Sequence, residues 1–355
     1  MQCFQFAEPV PGEEPADALR TVVFMANFAA QDITGSLDAS RGADELIDDL
    51  AHPAPDHETF LFGIAEDPVE GPVSDLGYPL IPSTGSASEP ASLAWFVVDL
   101  PTRDNPNLVN VSIVLDVDLL PIGDDASPEC ASVCRFVLAE CERIATSLGR
   151  SIIQVWMQHR ADEQPALSEV YEEAGFSLAH SEVEFVTTLP RQPAGDVQVF
   201  SNEDFPDQML EGIAELYCAA SVEQPRGSLS TAPEQWDAQR LSAHTAHFRA
   251  RGTENFHAIA TDEAGEPIAL SEVWIHQGSN AEVAIQGLTY VKPDYRRQGL
   301  GFAVKSAAMG ATLKAHPSVR RIYTSVAPSN QAMLQLNRAF DARPVAAVAV
   351  FEKGL

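Results

Sequence analysis

Val291-Lys292-Pro293-Asp294-Tyr295-Arg296-Arg297-Gln298-Gly299-Leu300-Gly301-Phe302-Ala303 joins a strand-like run ending at Pro293 to a helix-like run that begins at once after the second glycine. Such a loop is an anion site in physical terms. The first helical turn leaves backbone N–H groups without intrahelical acceptors, the helix dipole is positive there, and glycine lets a ligand approach the backbone. Arg296 and Arg297 add charge. Two common phosphate loops are excluded by spacing. A dinucleotide fingerprint needs a third glycine near Val304 and an acidic residue about 20 positions on. A P-loop needs Gly-Lys-Ser/Thr after four spacers.

Outward from this loop, periodicity gives an alternating order of elements. Upstream, helices are read from Phe205 to Ala220 and from Ala232 to Ala250, the latter with Pro233 at a helix start. Strands follow at Phe256–Thr261, Pro267–Ile275 and Ala281–Val291, the first two joined by the turn Asp262-Glu263-Ala264-Gly265-Glu266. Downstream come a helix Gly301–Ala315, a strand Arg321–Val326, a helix Asn330–Phe340 and a strand Val345–Phe351. The first half repeats this order with residues 2–6, Glu14–Ile33, Arg41–Leu50, Thr59–Ile64, Ala94–Leu100, Leu108–Leu120, Pro128–Leu148, Ser151–Met157, a short helix ending at Phe176, and Glu182–Thr188. The stretch Glu66–Pro90, with five prolines and no periodicity, reads as an extended, partly disordered surface loop. The repeat in element order implies a duplicated domain. Two prolines and a glycine near Pro190 place a linker at 191–197 between domains 1–190 and 198–355.

Composition narrows the function. The 355 residues carry a net charge of −29, which argues against nucleic acid or an anionic membrane as partner. Residues 1–200 hold 34 Asp and Glu against 8 Lys and Arg, while residues 201–355 hold 17 against 14. A multiply anionic ligand therefore suits the second half. Five scattered cysteines form no disulfide framework, and with no signal peptide or transmembrane run the chain reads as soluble and cytoplasmic. Cys130, Cys134 and Cys141 fall on one buried helix face, His244 and His247 lack a third ligand, and no metal site is expected.

Arg296-x-x-Gly299-x-Gly301, preceded by Val291-x-Pro293 and followed by Asn330 seven residues before Asn337, resembles the acyl-CoA motif of the GCN5-related N-acetyltransferase (GNAT) superfamily. The resemblance covers the element order of residues 197–355 and points to a tandem type with a degenerate N-terminal domain. It implies an α/β fold of two tandem GNAT-like domains, each a mostly antiparallel mixed sheet flanked by helices. It also implies acetyl-CoA as acyl donor, an amine acceptor of small-molecule or peptide kind, and direct attack of the amine on the thioester. By resemblance, Thr289, Tyr290 and Val291 hold the pantetheine arm. Arg296, Arg297, Gln298, Gly299, Leu300, Gly301 and Phe302 hold the pyrophosphate, and Asn330 touches the arm from the other side, in addition to capping its helix.

A general base would help, because an alkyl ammonium with a pKa near 10.4 is protonated at neutral pH. Glu272 is the candidate, and Gln286 orients a water or substrate. Asn337 stands where many members carry a tyrosine that protonates the leaving thiolate, which asparagine does not do as a phenol does. Three routes follow: CoA leaves as thiolate, a water relays the proton, or Tyr323 substitutes. The first-half counterpart, Leu115 to Pro128, has one glycine, no arginine, and Asp124 and Asp125 where phosphates would sit. That domain reads as structural. The acidic envelope favours a cationic acceptor by steering, with Glu223 to Ser228 as the loop shaping its choice. The competing reading is a non-catalytic acyl-CoA-binding or interaction protein.

Overall fold

Strand residues send successive side chains to opposite faces, and in this chain both faces are apolar. The computed structural model describes residues 1–86, 89–121, 126–188, 197–202, 204–276 and 280–355. Residues 191–196 of the expected linker, and Asp124 and Asp125, lie outside them. In order, the elements are β1 (Gln2–Phe6), α1 (Asp17–Thr34), α2 (Ala43–Ala51), β2 (His57–Ala65), β3 (Leu80–Ile81), β4 (Ser92–Pro101), β5 (Leu108–Leu115), α3 (Pro128–Ser147), β6 (Ile152–His159), α4 (Ser168–Glu173) and β7 (Ser177–Thr187). Then follow β8 (Gln198–Ser201), α5 (Asp207–Glu223), α6 (Ala238–Ala250), β9 (Glu254–Thr261), β10 (Pro267–Ile275), β11 (Val283–Val291), α7 (Leu300–Ala315), β12 (Arg321–Val326), α8 (Gln331–Ala339) and β13 (Arg343–Gly354).

The chain forms two compact units that are not simply its two halves. The first is Met1–Ser181, Arg226–Thr231 and Ala346–Leu355; the second is Glu182–Pro225 and Ala232–Val345. In the first, the strand order is β3-β1-β2-β4-β5-β6-β13. Leu61 and Trp95 face a core with Leu19 and Val22 of α1, while Phe62, Ile64, Phe96 and Val98 face the core of α3. The end of the chain completes this second core. β13 pairs antiparallel with β6 from Ala347↔His159 to Gly354↔Ile152, and Phe351 stacks on Tyr171 with centroids 4.8 Å apart. In the second unit the order is β7-β12-β11-β10-β9-β8, the 182–187 part of β7 pairing antiparallel with β12. Here α5 and α6 cover one face and α7 and α8 the other.

Three expectations need correction. Within the Glu66–Pro90 stretch, β3 pairs parallel with β1 at the sheet edge, and Tyr78, 2% exposed, packs edge-on to Phe62 and donates to Glu140 at 2.7 Å. The helix expected from Ala232 starts at Ala238, because Asp237 accepts the Arg240 N–H at 2.7 Å and supplies the cap. β8, absent from the sequence reading, is a four-residue edge strand too short to show a period. The cysteines of α3 are buried and free, as the face reading implied.

Arg226–Thr231 is held in the first unit at Gly227, whose φ is +57°. A Cβ there would stand 2.1 Å from the Ala179 carbonyl oxygen, a backbone atom with no rotamer to escape into. Gly227→Ala is therefore expected to destabilise the protein by about 2 kcal/mol or more. Thermal unfolding measured beside a Ser228→Ala control checks this.

Candidate functional site

The site begins with a strand that carries one residue too many. β10 pairs with β11 at Ser271↔Thr289 and Val273↔Gln286, so Gly287 and Leu288 together oppose Glu272. A bulge of this kind bends its strand and interrupts the ladder. Glu272 fills the gap: its Oε1 accepts the Leu288 N–H at 2.9 Å. Only glycine fits beneath it, because a Cβ on Gly287 would lie 2.4 Å from Glu272 Oε1 and 2.8 Å from Trp274 Nε1. On its other edge β11 pairs in parallel with β12 only from Val283↔Arg321 to Ile285↔Tyr323. Beyond that the strands part, although β11 continues to Val291 and β12 to Val326. The edge of β11 holding Thr289, Tyr290 and Val291 is thus free to pair with an extended ligand.

Beyond β11, the loop turns through Arg297 at φ +62° and Gly299 at φ +81° before α7. The Ala303 N–H makes the first bond back, to the Gly299 carbonyl at 3.0 Å. The amides of Leu300, Gly301 and Phe302 precede it and point out of the helix end. Apart from its two chain neighbours, no atom of the described residues comes within 4 Å of where a Gly299 Cβ would stand. The side chains are less uniform than the motif suggests. Arg297 is exposed, whereas Arg296 donates to the Val291 carbonyl at 2.8 Å and pairs with Glu223 at the end of α5. Tyr290 donates to the other Glu223 oxygen at 2.7 Å. Burial followed by Glu223 pushes the Tyr290 phenol up to about 12. Burial raises the Glu223 carboxyl, but Tyr290 and Arg296 outweigh it and hold it below the usual range. Gln298 Nε2 reaches the Asp294 carbonyl at 3.4 Å. Asn330 caps α8, its Oδ1 accepting the Met333 N–H at 3.2 Å.

The three candidate catalytic residues do not share one face. Glu272 lies with Leu270 on the α5 side, 7% exposed. Its Oε2 accepts the Tyr217 hydroxyl and lies 3.0 Å from His257 Nε2. Burial raises this carboxyl, but the bonds from His257, Tyr217 and the Leu288 N–H together hold it below the usual range. Both carboxylate oxygens of Glu272 are engaged, Oε1 by the bulge and Oε2 by Tyr217 and His257. Gln286 lies on the α7 side, with Ala284, and donates to Ser271 Oγ at 3.0 Å. Ser271 in turn bonds Thr289 Oγ1 at 2.7 Å. Asn337, 1% exposed, accepts from Lys305 Nζ at 2.7 Å.

Tyr217, His257 and Lys305 were missed in the sequence reading, although Lys305 had a signal. His257 stands directly across from Glu272 in the β9–β10 register. Lys305 falls in line with buried Met309 and Thr312 at i+4 and i+7, a charge on an apolar stripe. A thioester donor with a phosphate-bearing arm fits these residues: a free strand edge, open helix amides over Gly299, and a buried Asn337 Nδ2 with no hydrogen-bond partner among the described residues.

The first unit has no such combination among its described residues. It holds a cavity of about 670 Å³ whose lining includes Glu66, Glu89, Asp116, Asp118 and Glu129, charges that repel a pyrophosphate. No group of three potential metal ligands converges anywhere among the described residues. No helix there is long and apolar enough to cross a membrane.

Residues 216–340 match the model of the Acetyltransferase (GNAT) family. A tandem GNAT protein from the clavulanic acid biosynthesis pathway, solved without acetyl-CoA, superimposes with a TM-score of 0.69 at 15% identity, covering 99% of this chain and 98% of that one. A GCN5-related N-acetyltransferase from Sphaerobacter thermophilus gives 0.60 at 14% identity, over 99% and 95%. No curated protein matches the chain in sequence. The mixed α/β fold is that of a tandem GNAT protein, with the family segment in the C-terminal half.

Because the Glu272 carboxyl is held below its unfolded value, its stabilisation is present above about pH 4.5 and is lost as pH falls through the folded value. Glu272→Gln is expected to lower stability at pH 7 by about 1 to 3 kcal/mol and to flatten the acid limb of the melting-temperature profile. Thermal unfolding between pH 3 and 7 measures both.

Proposed function

We propose, from a chain whose residues 216–340 match the acetyltransferase (GNAT) family model, that the protein transfers an acyl group from acyl-CoA, with acetyl-CoA the default donor, to an amine. The parting of β11 and β12 after Ile285 and Tyr323, at the foot of the glycine loop, is the observation that carries this reading. The edge of Thr289 to Val291 would hold the pantetheine arm, and the amides of Leu300 to Phe302 would hold the pyrophosphate, with Arg297 adding charge. Arg296 would serve from its place on Glu223, fixing the loop against α5.

The amine nitrogen attacks the thioester carbon directly, so the protein contributes chiefly by positioning two reactants. Glu272 would act by keeping the bulge open. Gln286, tied to Ser271 and Thr289, would orient a substrate group or a water. The acceptor class follows from charge: the acidic residues of 1–200 attract a cationic amine. Asn337, in the place where the family's proton-donating tyrosine is expected, favours a second reading, an acyl-CoA binder without turnover.

Calorimetry with acetyl-CoA is expected to give one site per chain, abolished by Gly299→Glu, which crowds the loop and adds a negative charge. Release of free CoA that depends on an added amine from a cationic panel supports the transferase. Binding without release across the panel supports the binder, and no binding overturns both.

A further inference from the structure

We propose that Lys305 is the acid of this site, giving a proton to the sulfur that departs from the acyl donor while Asn337 holds its ammonium group in place. The inference rests on the acyl-transfer reading above. α7 follows β11 and α8 follows β12, so the Lys305–Asn337 pair joins the two helices that succeed the two parted strands.

Lys305 is 1% exposed. Buried lysines are ordinarily matched by a carboxylate, yet the bond found here among the described residues is to the neutral Asn337 Oδ1, with the Phe340 ring 5.6 Å away. An ammonium has three donors. Beside it, the Nδ2 of Asn337 is also buried and, among the described residues, without an acceptor. Adjacent buried donors lacking acceptors fit an electron-rich atom supplied by a ligand.

The surroundings set the acidity. The strands under α7 turn Ala258, Ala269, Val273 and Ala284 toward it, with the uncharged Ser271, Gln286 and Thr289 on the same face, α8 contributes Asn337 and Phe340, and no charged group of either layer adds to the effect of burial. Burial alone pushes the ammonium down to about 7. An ordinary lysine near 10.4 would keep its proton from a thiolate, whose ordinary value is about 8.5. Lys305 releases it downhill.

In the step, the amine nitrogen bonds the acyl carbon, and the carbon–sulfur bond breaks with its electron pair on sulfur. Sulfur takes a proton from Lys305 Nζ. The surplus proton on nitrogen goes to water, and Lys305 regains one from water.

The test uses the full chain. Lysine-selective 13C NMR, assigned by comparison with Lys305→Met, should show a group titrating near 7 whose value shifts with CoA and not with desulfo-CoA. Lys305→Met should lower kcat about 100-fold or more, leave the Kd for acetyl-CoA within about threefold, and remove a limb on which kcat falls as Lys305 loses its proton. Its melting temperature should equal or exceed that of the wild type, since a buried charge is gone. An unchanged kcat, a retained limb, or equal shifts with CoA and desulfo-CoA overturns the proposal. If the wild type itself releases no CoA with any amine, the acyl-transfer reading fails, and the NMR comparison alone decides whether Lys305 faces the thiol.

Discussion

The second unit depends on one carboxylate. A bulge leaves a ladder N–H without a strand partner, and a buried donor in that state costs about 1 to 3 kcal/mol. Glu272 removes the cost by accepting the Leu288 N–H, but a buried carboxylate must itself be stabilised. Tyr217 from α5 and His257 from β9 do that. Each group is needed because of the one before it. The strand is held open by a polar chain running from α5 through β9 and β10 to β11.

That chain explains why the opening lies where it does. Gly287 gives the carboxylate room, and no other residue type at that point would. Past the bulge, β11 is in register with β10 again at Thr289, so Thr289 to Val291 are firmly placed on one edge while β12 does not pair with their other edge. The glycine loop then follows within a few residues. A flexible cleft would have to order itself on binding, at a cost in conformational entropy; this one is ordered by hydrogen bonds already made.

Much of this was legible in the sequence for specific reasons. The strand–loop–helix of Val291 to Ala303 combines backbone requirements, positive φ at Gly299 and open amides, that residue type encodes directly. Element order was legible because amphipathic periods survive at low identity. The exchange of β7 and β13 between units was not, since strand pairing beyond a hairpin depends on distant residues such as Phe351 and Tyr171. The type of Glu272 is legible in the sequence; its contacts are not. From sequence it is an alternating strand residue, and only the register shows it facing His257 on one side and the bulge on the other.

Arg296 teaches the same lesson from the opposite direction. A charge in a phosphate loop suggests direct contact, yet its guanidinium is committed to Glu223 and the Val291 carbonyl. Affinity for an anion can be raised by fixing amides as well as by supplying charge, because backbone N–H groups that converge before binding need no rearrangement. An exposed ion pair contributes little to stability. Its value here is geometric: it ties the strand end, through Tyr290 and Glu223, to the last turn of α5, the helix that carries Tyr217 to Glu272. The glycine loop and the β11 bulge are therefore anchored to the same helix.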